Sequence, residues 1–218
     1  HDITTSSHNV DNSIPLSKSS FMANMGMLNL SNASDVIPTA QNRDGLFHTK
    51  KNEIGFSKRK GSGALCATDL MQRINSGSLG FNKQTDTLDI VAHSMGYAYA
   101  VGMIDALKAQ GIKFGRFYII APENACSGGT EWSLFTEVWQ YGSNLDQLNA
   151  DPCGKQDGVA PQCEVSGITQ TYPKTKTGRV FIPSSVTTKS YVGSHSIGNY
   201  GWIFNKTNQE AGYVRPRN

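Results

Sequence analysis

The sequence predicts an α/β domain with a mainly parallel sheet flanked by helices, and three observations carry that reading. The apolar run Leu88-Asp89-Ile90-Val91-Ala92 leads into His93-Ser94-Met95-Gly96 and then a small-residue helical pattern. A second apolar run, Phe117-Tyr118-Ile119-Ile120-Ala121-Pro122, follows that helix. From Leu88 to Pro122 the chain spans 35 residues, long enough for a right-handed crossover between parallel strands. Two further short strands give the order strand, helix, strand, strand, strand, which belongs to the α/β class.

The elements follow in chain order. Residues 1–60 are dominated by Met, Asn and Ser, with apolar residues singly or in pairs, so no buried strand is predicted there. Phe21-Met22 and Met25 to Leu30 are expected to pack onto the core, while Pro38 and Arg43-Asp44-Gly45 mark loops. This stretch reads as an irregular or incomplete N-terminal segment that packs on or extends the core, and residues 61–218 as the core. Cys66, Leu70 and Ile74 recur at four-residue spacing beside Ala67 and Met71, which predicts an amphipathic helix ending near Gly77. Leu88 to Ala92 is a buried strand. Ala100, Met103, Ile104 and Leu107 share one face of the next helix, and Gly111 supplies its stop. Phe117 to Pro122, Glu137 to Tyr141 and Val180 to Pro183 are read as strands, with a long loop over 142–162. Tyr191 to Phe204 closes the pattern and contains His195 and Trp202.

Composition narrows the class. The 218 residues suffice for one domain with a sizeable core. A net charge of +3 is weak, and the one basic cluster, Lys58-Arg59-Lys60, reads as solvated surface, so no nucleic-acid partner is expected. No stretch approaches the roughly 20 apolar residues of a membrane span. No signal peptide is read, and the opening His1-Asp2-Ile3-Thr4 is expected of a processed or trimmed product, which leaves an exported origin open. Four cysteines without a Cys-x-x-Cys pair point to two disulfides, Cys153–Cys163 and Cys66–Cys126, in an oxidising compartment, the alternative being four unpaired, mostly buried thiols of a cytosolic protein. Asn29, Asn32 and Asn205 fit the glycosylation pattern, which is common by chance.

The chemistry starts at Ser94. A serine in a sharp turn between strand and helix is lifted clear of its backbone and sits at the positive end of the helix. A hydroxyl there becomes a nucleophile when an imidazole takes its proton and a carboxylate orients the imidazole. His195, in Gly193-Ser194-His195-Ser196-Ile197-Gly198, is the candidate base. His1 and His8 lie near the chain start and His48 in a basic loop. His93 adjoins Ser94 and is expected to pack at the turn. Asp157, in Asp157-Gly158-Val159-Ala160-Pro161, is the leading acid, with Asp146 and Asp151 as competitors. The backbone N–H of Met95 is the natural first oxyanion donor. The second has no assignment, because no His-Gly pair occurs. Tyr97, Tyr99, Trp139, Tyr141 and Trp202 are read either as pocket lining or as core.

The stretch Leu88 to Gly96, with Ala92-His93-Ser94-Met95-Gly96 at its end, resembles small secreted bacterial lipases and esterases of the α/β-hydrolase superfamily, some of which carry alanine at the position of Ala92. Ala121-Pro122-Glu123-Asn124 is similar to their Ala-Pro-Asn turn. The Asp157 loop resembles their acid loop, and His195-Ser196-Ile197-Gly198 is similar to their terminal histidine segment. The resemblance covers roughly residues 85–205 and implies an α/β-hydrolase fold with a Ser–Asp–His order along the chain. Tyr97 departs from it where many relatives have a second glycine, and residues 1–60 do not match the family's early strands.

The expectation is therefore an exported serine hydrolase cleaving carboxylic esters, lipid or other acyl esters, through Ser94, His195, Asp157 and Met95 N–H, without metal or organic cofactor. The alternatives are a non-catalytic binding protein on a hydrolase-like sheet, or an acyltransferase, thioesterase or peptidase of the same fold. The sequence leaves oligomeric state, acyl length and the presence of a lid open.

Overall fold

A computed structural model describes residues 2–5, 10–11, 53–122, 125–142, 165, 167–168, 176–183, 185–186 and 197–214. Its centre is a six-stranded sheet in the order β2-β1-β3-β4-β5-β6. The strands are β1 (Asp2–Thr5), β2 (Val10–Asp11), β3 (Leu88–His93), β4 (Phe114–Ile120), β5 (Glu137–Gly142) and β6 (Lys176–Phe181). All neighbours pair in parallel except β2, which runs antiparallel to β1. The long helices among the described residues are α1 (Glu53–Asn75) and α2 (Gly96–Ala109). A parallel α/β sheet is thus present, as the alternation of apolar runs and helix predicts.

β1 corrects the reading of the N-terminal segment. Thr5 pairs with Ala92 and Ile3 with Ile90, so β1 lies directly beside the strand that leads to Ser94. The only local signal for it is the β-branched run Ile3-Thr4-Thr5. α1 also begins at Glu53, ahead of the change in sequence texture at Gly61.

Strand alternation divides the core in two. Leu88, Ile90 and Ala92 of β3, with Phe117 and Ile119 of β4, face Leu70, Ile74, Ala100, Met103, Ile104 and Leu107 from α1 and α2. Val91, Tyr118, Ile120, Trp139 and Tyr141 point to the opposite face, where Tyr200 and Ile203 of the 3-10 segment Ile197–Asn205 cover them. Both strand faces are buried, so β3 is apolar at four of the five positions before His93, the pattern of a parallel strand covered on both sides. The exception, Asp89, is paired.

Between Leu88↔Phe114 and Ile90↔Phe117 the register shifts, so Gly115 and Arg116 of β4 face the single residue Asp89 of β3. The Arg116 N–H and Nε donate to the Asp89 carboxylate at 2.7 and 2.6 Å, and the guanidinium NH2 also pairs with it. One side chain thereby satisfies both the backbone donor at the bulge and a largely buried cation. Gly115 leaves room for that carboxylate, since a Cβ there would meet the Asp89 side chain and lie 3.0 Å from Thr87 Oγ1.

α2 stops where Gly111 predicts. Gly111 has φ 77°, its N–H donates to Lys108 O at 3.0 Å, and Ile112 N–H donates to Leu107 O at 3.2 Å, which is a Schellman cap. α1 and α2 then pack backbone to backbone at Gly63 and Gly102. A Cβ on Gly63 would run into the Tyr99 carbonyl, and one on Gly102 into the Lys60 carbonyl. At the edge of this contact Lys60 Nζ lies 2.8 Å from Asp105 Oδ2. No helix among the described residues is long and apolar enough to cross a membrane.

Candidate active site

The backbone is forced at the junction of β3 and α2. Ser94 has φ 57°, in the left-handed region, and directly precedes the helix. A residue with a Cβ pays for that conformation sterically and keeps it only where neighbours hold it in place. Ser94 N–H donates to Ile120 O at 3.0 Å, and Ser94 O accepts from Tyr97 N–H at 3.2 Å. One bond ties the turn to β4 and the other ties it to α2. Ser94 itself is 3% exposed.

A second strained residue stands beside it. Ala121, the first residue after β4, has φ 41°, and its N–H donates to Tyr141 O at 2.8 Å on β5. Two non-glycine residues in the left-handed region therefore sit on adjacent strands at the same, C-terminal edge of the sheet. Clusters of this kind mark functional sites because strain persists only where the surroundings over-determine it.

Met95 opens α2 with φ −65° and ψ −17°, so its N–H belongs to the helix's positive end, and no acidic residue occupies the first turn. β1 ends on the other flank of this junction, its Thr5 in register with Ala92.

The topology disposes the remaining candidates as follows. Asp146, Asp151 and Asp157 all follow β5 in the chain, and His195 follows β6. Both strands run parallel to β3, so the chain leaves each of them at the edge that carries Ser94. Asp146, Asp151, Asp157 and His195 lie outside the described residues. Ser94 and Met95 are adjacent at the turn, and His93 ends β3 buried, as expected of a residue that packs there.

The aromatic residues read either as pocket lining or as core are largely core. Tyr97 is fully buried, stacks on Phe117 with centroids 6.3 Å apart, and donates its hydroxyl to Gly128 O at 2.9 Å. Burial, and secondarily the Asp105 charge, pushes its phenol well above the ordinary range. It fills the space between α2, Phe56 and β4. Tyr141 is buried on the other face, its hydroxyl donating to Gly212 O at 2.7 Å, and burial likewise raises its phenol. Tyr99 and Trp139 are buried too, while Trp202 is partly exposed and packs edge-on against Tyr141.

The cysteine pairing needs correction. Cys66 is a free thiol on α1, hydrogen-bonded to Tyr99, and burial raises it above the ordinary thiol range. Cys126 is disulfide-bonded. The expected Cys66–Cys126 bridge does not exist, because α1 turns Cys66 toward Tyr99 of α2. Cys153 and Cys163, and with them the expected Cys153–Cys163 bridge, lie outside the described residues.

Among the described residues, no group of three or more His, Cys, Asp or Glu side chains is placed to hold a metal ion. No family model matches this chain, and neither a curated protein nor a solved structure matches it.

Proposed function

We propose that the protein is a serine hydrolase of carboxylic esters on an α/β-hydrolase-type sheet. The observation that carries this is Ser94: a non-glycine residue held at φ 57° between a buried parallel strand and a helix N-terminus. In this reading Ser94 Oγ attacks the ester carbonyl carbon while His195 takes its proton, and Asp157 orients the imidazole. Met95 N–H receives the oxyanion. The proton returns from His195 to the departing alcohol, and water then releases the acyl group by the same steps. Parallel strands that end at the edge carrying Ser94, with the acid following β5 and the base following β6, support the assignment. The disulfide at Cys126 supports an exported protein, since such bonds persist in oxidising compartments.

The test is hydrolysis of a chromogenic short-chain ester by wild type and Ser94→Ala, with labelling by a fluorophosphonate probe. Activity should fall by about 10³-fold or more in the variant, and the label should be lost. Equal turnover by both proteins would refute the reading. The 3% exposure of Ser94 favours one second reading, a non-catalytic binding protein on the same sheet. That protein would leave the probe unreacted.

A further inference from the structure

The two strained residues at this edge of the sheet are joined through one peptide unit. Ser94 N–H donates to Ile120 O at 3.0 Å, and Ala121 N–H donates to Tyr141 O at 2.8 Å. That carbonyl and that N–H belong to the same peptide, the one linking Ile120 to Ala121. A peptide is planar, so its C=O and N–H turn as one body and point in opposite directions. The bond that Ala121 makes to β5 therefore sets where the Ile120 oxygen meets the Ser94 N–H. Hydrogen bonds in series through one peptide also polarise and strengthen one another.

Both ends of this peptide are firmly held. Tyr141 is fully buried, its hydroxyl donates to Gly212 O at 2.7 Å, and its ring meets those of Tyr118 and Trp202 at centroid distances of 6.4 and 6.1 Å. Ile120 and Ala121 are fully buried, and Pro122 is buried behind them. The φ of Ala121, 41°, is the torsion between this peptide and the chain that follows it. With Pro122 packed on one side and β4 on the other, a change in that φ has to turn the peptide. Positive φ is uncommon for a residue with a Cβ, and the proline that follows restricts Ala121 further. We propose that Ala121 is a positioning residue: its positive φ aims the Ile120–Ala121 peptide so that one plane locks the Ser94 turn to β5. This rests on the ester hydrolase reading above. The strain at Ala121 then serves the placement of Ser94. A β-branched side chain is an outlier at positive φ, whereas Gly takes it freely and Asn is enriched there.

The experiment compares wild type, Ala121→Gly, Ala121→Asn and Ala121→Thr in ester hydrolysis and in the rate of fluorophosphonate labelling, each scaled to the folded fraction. Asn and Thr are both polar and close in volume, so the difference between them reads backbone conformation rather than bulk. Ala121→Thr should lose about a hundredfold in kcat, the cost of a reacting group misplaced by about 1 Å, with KM within about threefold. Labelling should slow by a similar factor, because the probe reacts with Ser94 itself. Ala121→Gly should stay within about threefold of wild type and Ala121→Asn within about tenfold, a rescue by residues that accept this backbone. A merely structural Ala121 would lower Tm in Ala121→Thr and leave kcat per folded molecule unchanged.

That last result, or equal losses in Ala121→Asn and Ala121→Thr, would overturn the positioning role and leave the hydrolase reading intact. Should Ala121→Thr not fold, amide hydrogen exchange of wild type decides. The Ser94 and Ala121 N–H groups should both be protected, as members of one hydrogen-bonded chain. A Ser94 amide that exchanges as fast as an unfolded chain would overturn the proposal. A wild type that neither turns over ester nor takes the fluorophosphonate label would overturn both readings.

Discussion

Replacing glycine by alanine should have opposite signs at two places on the same helix. Gly61, Gly63 and Gly102 are all helical. Nothing lies within 4 Å of a Cβ built on Gly61. Gly61→Ala should therefore gain helix propensity alone, about 1 kcal/mol. At Gly102 a Cβ would lie 2.6 Å from the Lys60 carbonyl carbon, 0.8 Å inside the 3.4 Å at which ordinary contact begins (3.4 minus 2.6). At Gly63 it would lie 2.8 Å from the Tyr99 carbonyl carbon. The obstacles are helix backbone, so α1 and α2 must part rather than let a side chain swing away. A gap of roughly 0.5–1 Å forfeits about a quarter to a half of each contact's attraction, and overpacking of this kind costs about 3 kcal/mol. Less the propensity gain, Gly63→Ala and Gly102→Ala should each lose about 2 kcal/mol, or about 4–8 °C in Tm for a chain of this size. Gly61→Ala should gain about 2–4 °C. Urea unfolding followed by circular dichroism measures all three. If Gly63→Ala or Gly102→Ala proved as stable as Gly61→Ala, the close packing of the two helices would be refuted.

Other expectations follow from buried polar groups. Asp89→Ala removes the acceptor of the Arg116 N–H and guanidinium, both well shielded, and should cost about 3 kcal/mol in urea unfolding; a loss below about 1 kcal/mol would contradict the role given to the carboxylate. Tyr97 and Tyr141 have phenols raised above the unfolded value near 10, so their stability contribution is complete below about pH 10. As pH rises beyond that, the unfolded chain ionises while the folded one does not, and stability should fall by about 1.4 kcal/mol per pH unit for each. Urea midpoints between pH 9 and 11 test this, and Tyr97→Phe should flatten the slope by one tyrosine's share; a slope unchanged in that variant would show that Tyr97 ionises freely in the folded state.

Legibility in the sequence followed range. β3, the Ser94 turn and α2 were readable because apolar run, small residues and Gly111 are local signals that all agree. The first three residues of β4 were not, because Arg116 looks like loop until Asp89 is seen across the bulge. β6 likewise begins with Lys176-Thr177-Gly178-Arg179, polar residues on an edge strand with no apolar run to announce it. The start of α1 was hidden by Lys58-Arg59-Lys60 and by Gly61 and Gly63, which read as loop although Gly63 is a packing contact. β1 is four residues long and pairs with a strand more than 80 positions away, so almost nothing local records it. At the candidate site the serine carries its own signature in the turn, whereas acid and base are single residues whose meaning depends on which strand each follows.

The bulge at Gly115-Arg116 has a consequence for how the chain can change length. It sets the parity of β4, sending Phe117 and Ile119 to one face and Tyr118 and Ile120 to the other. It also decides which carbonyl arrives beneath the Ser94 N–H, roughly 13 Å further along the strand at about 3.3 Å per residue. The strand behaves as a counted ruler, zeroed at one end by Asp89 and read at the other by Ser94. One residue inserted or removed between Asp89's partner and Ile120 would turn every later side chain over and offer Ser94 the wrong carbonyl. The same change in the turn between α1 and β3 would be absorbed by loop.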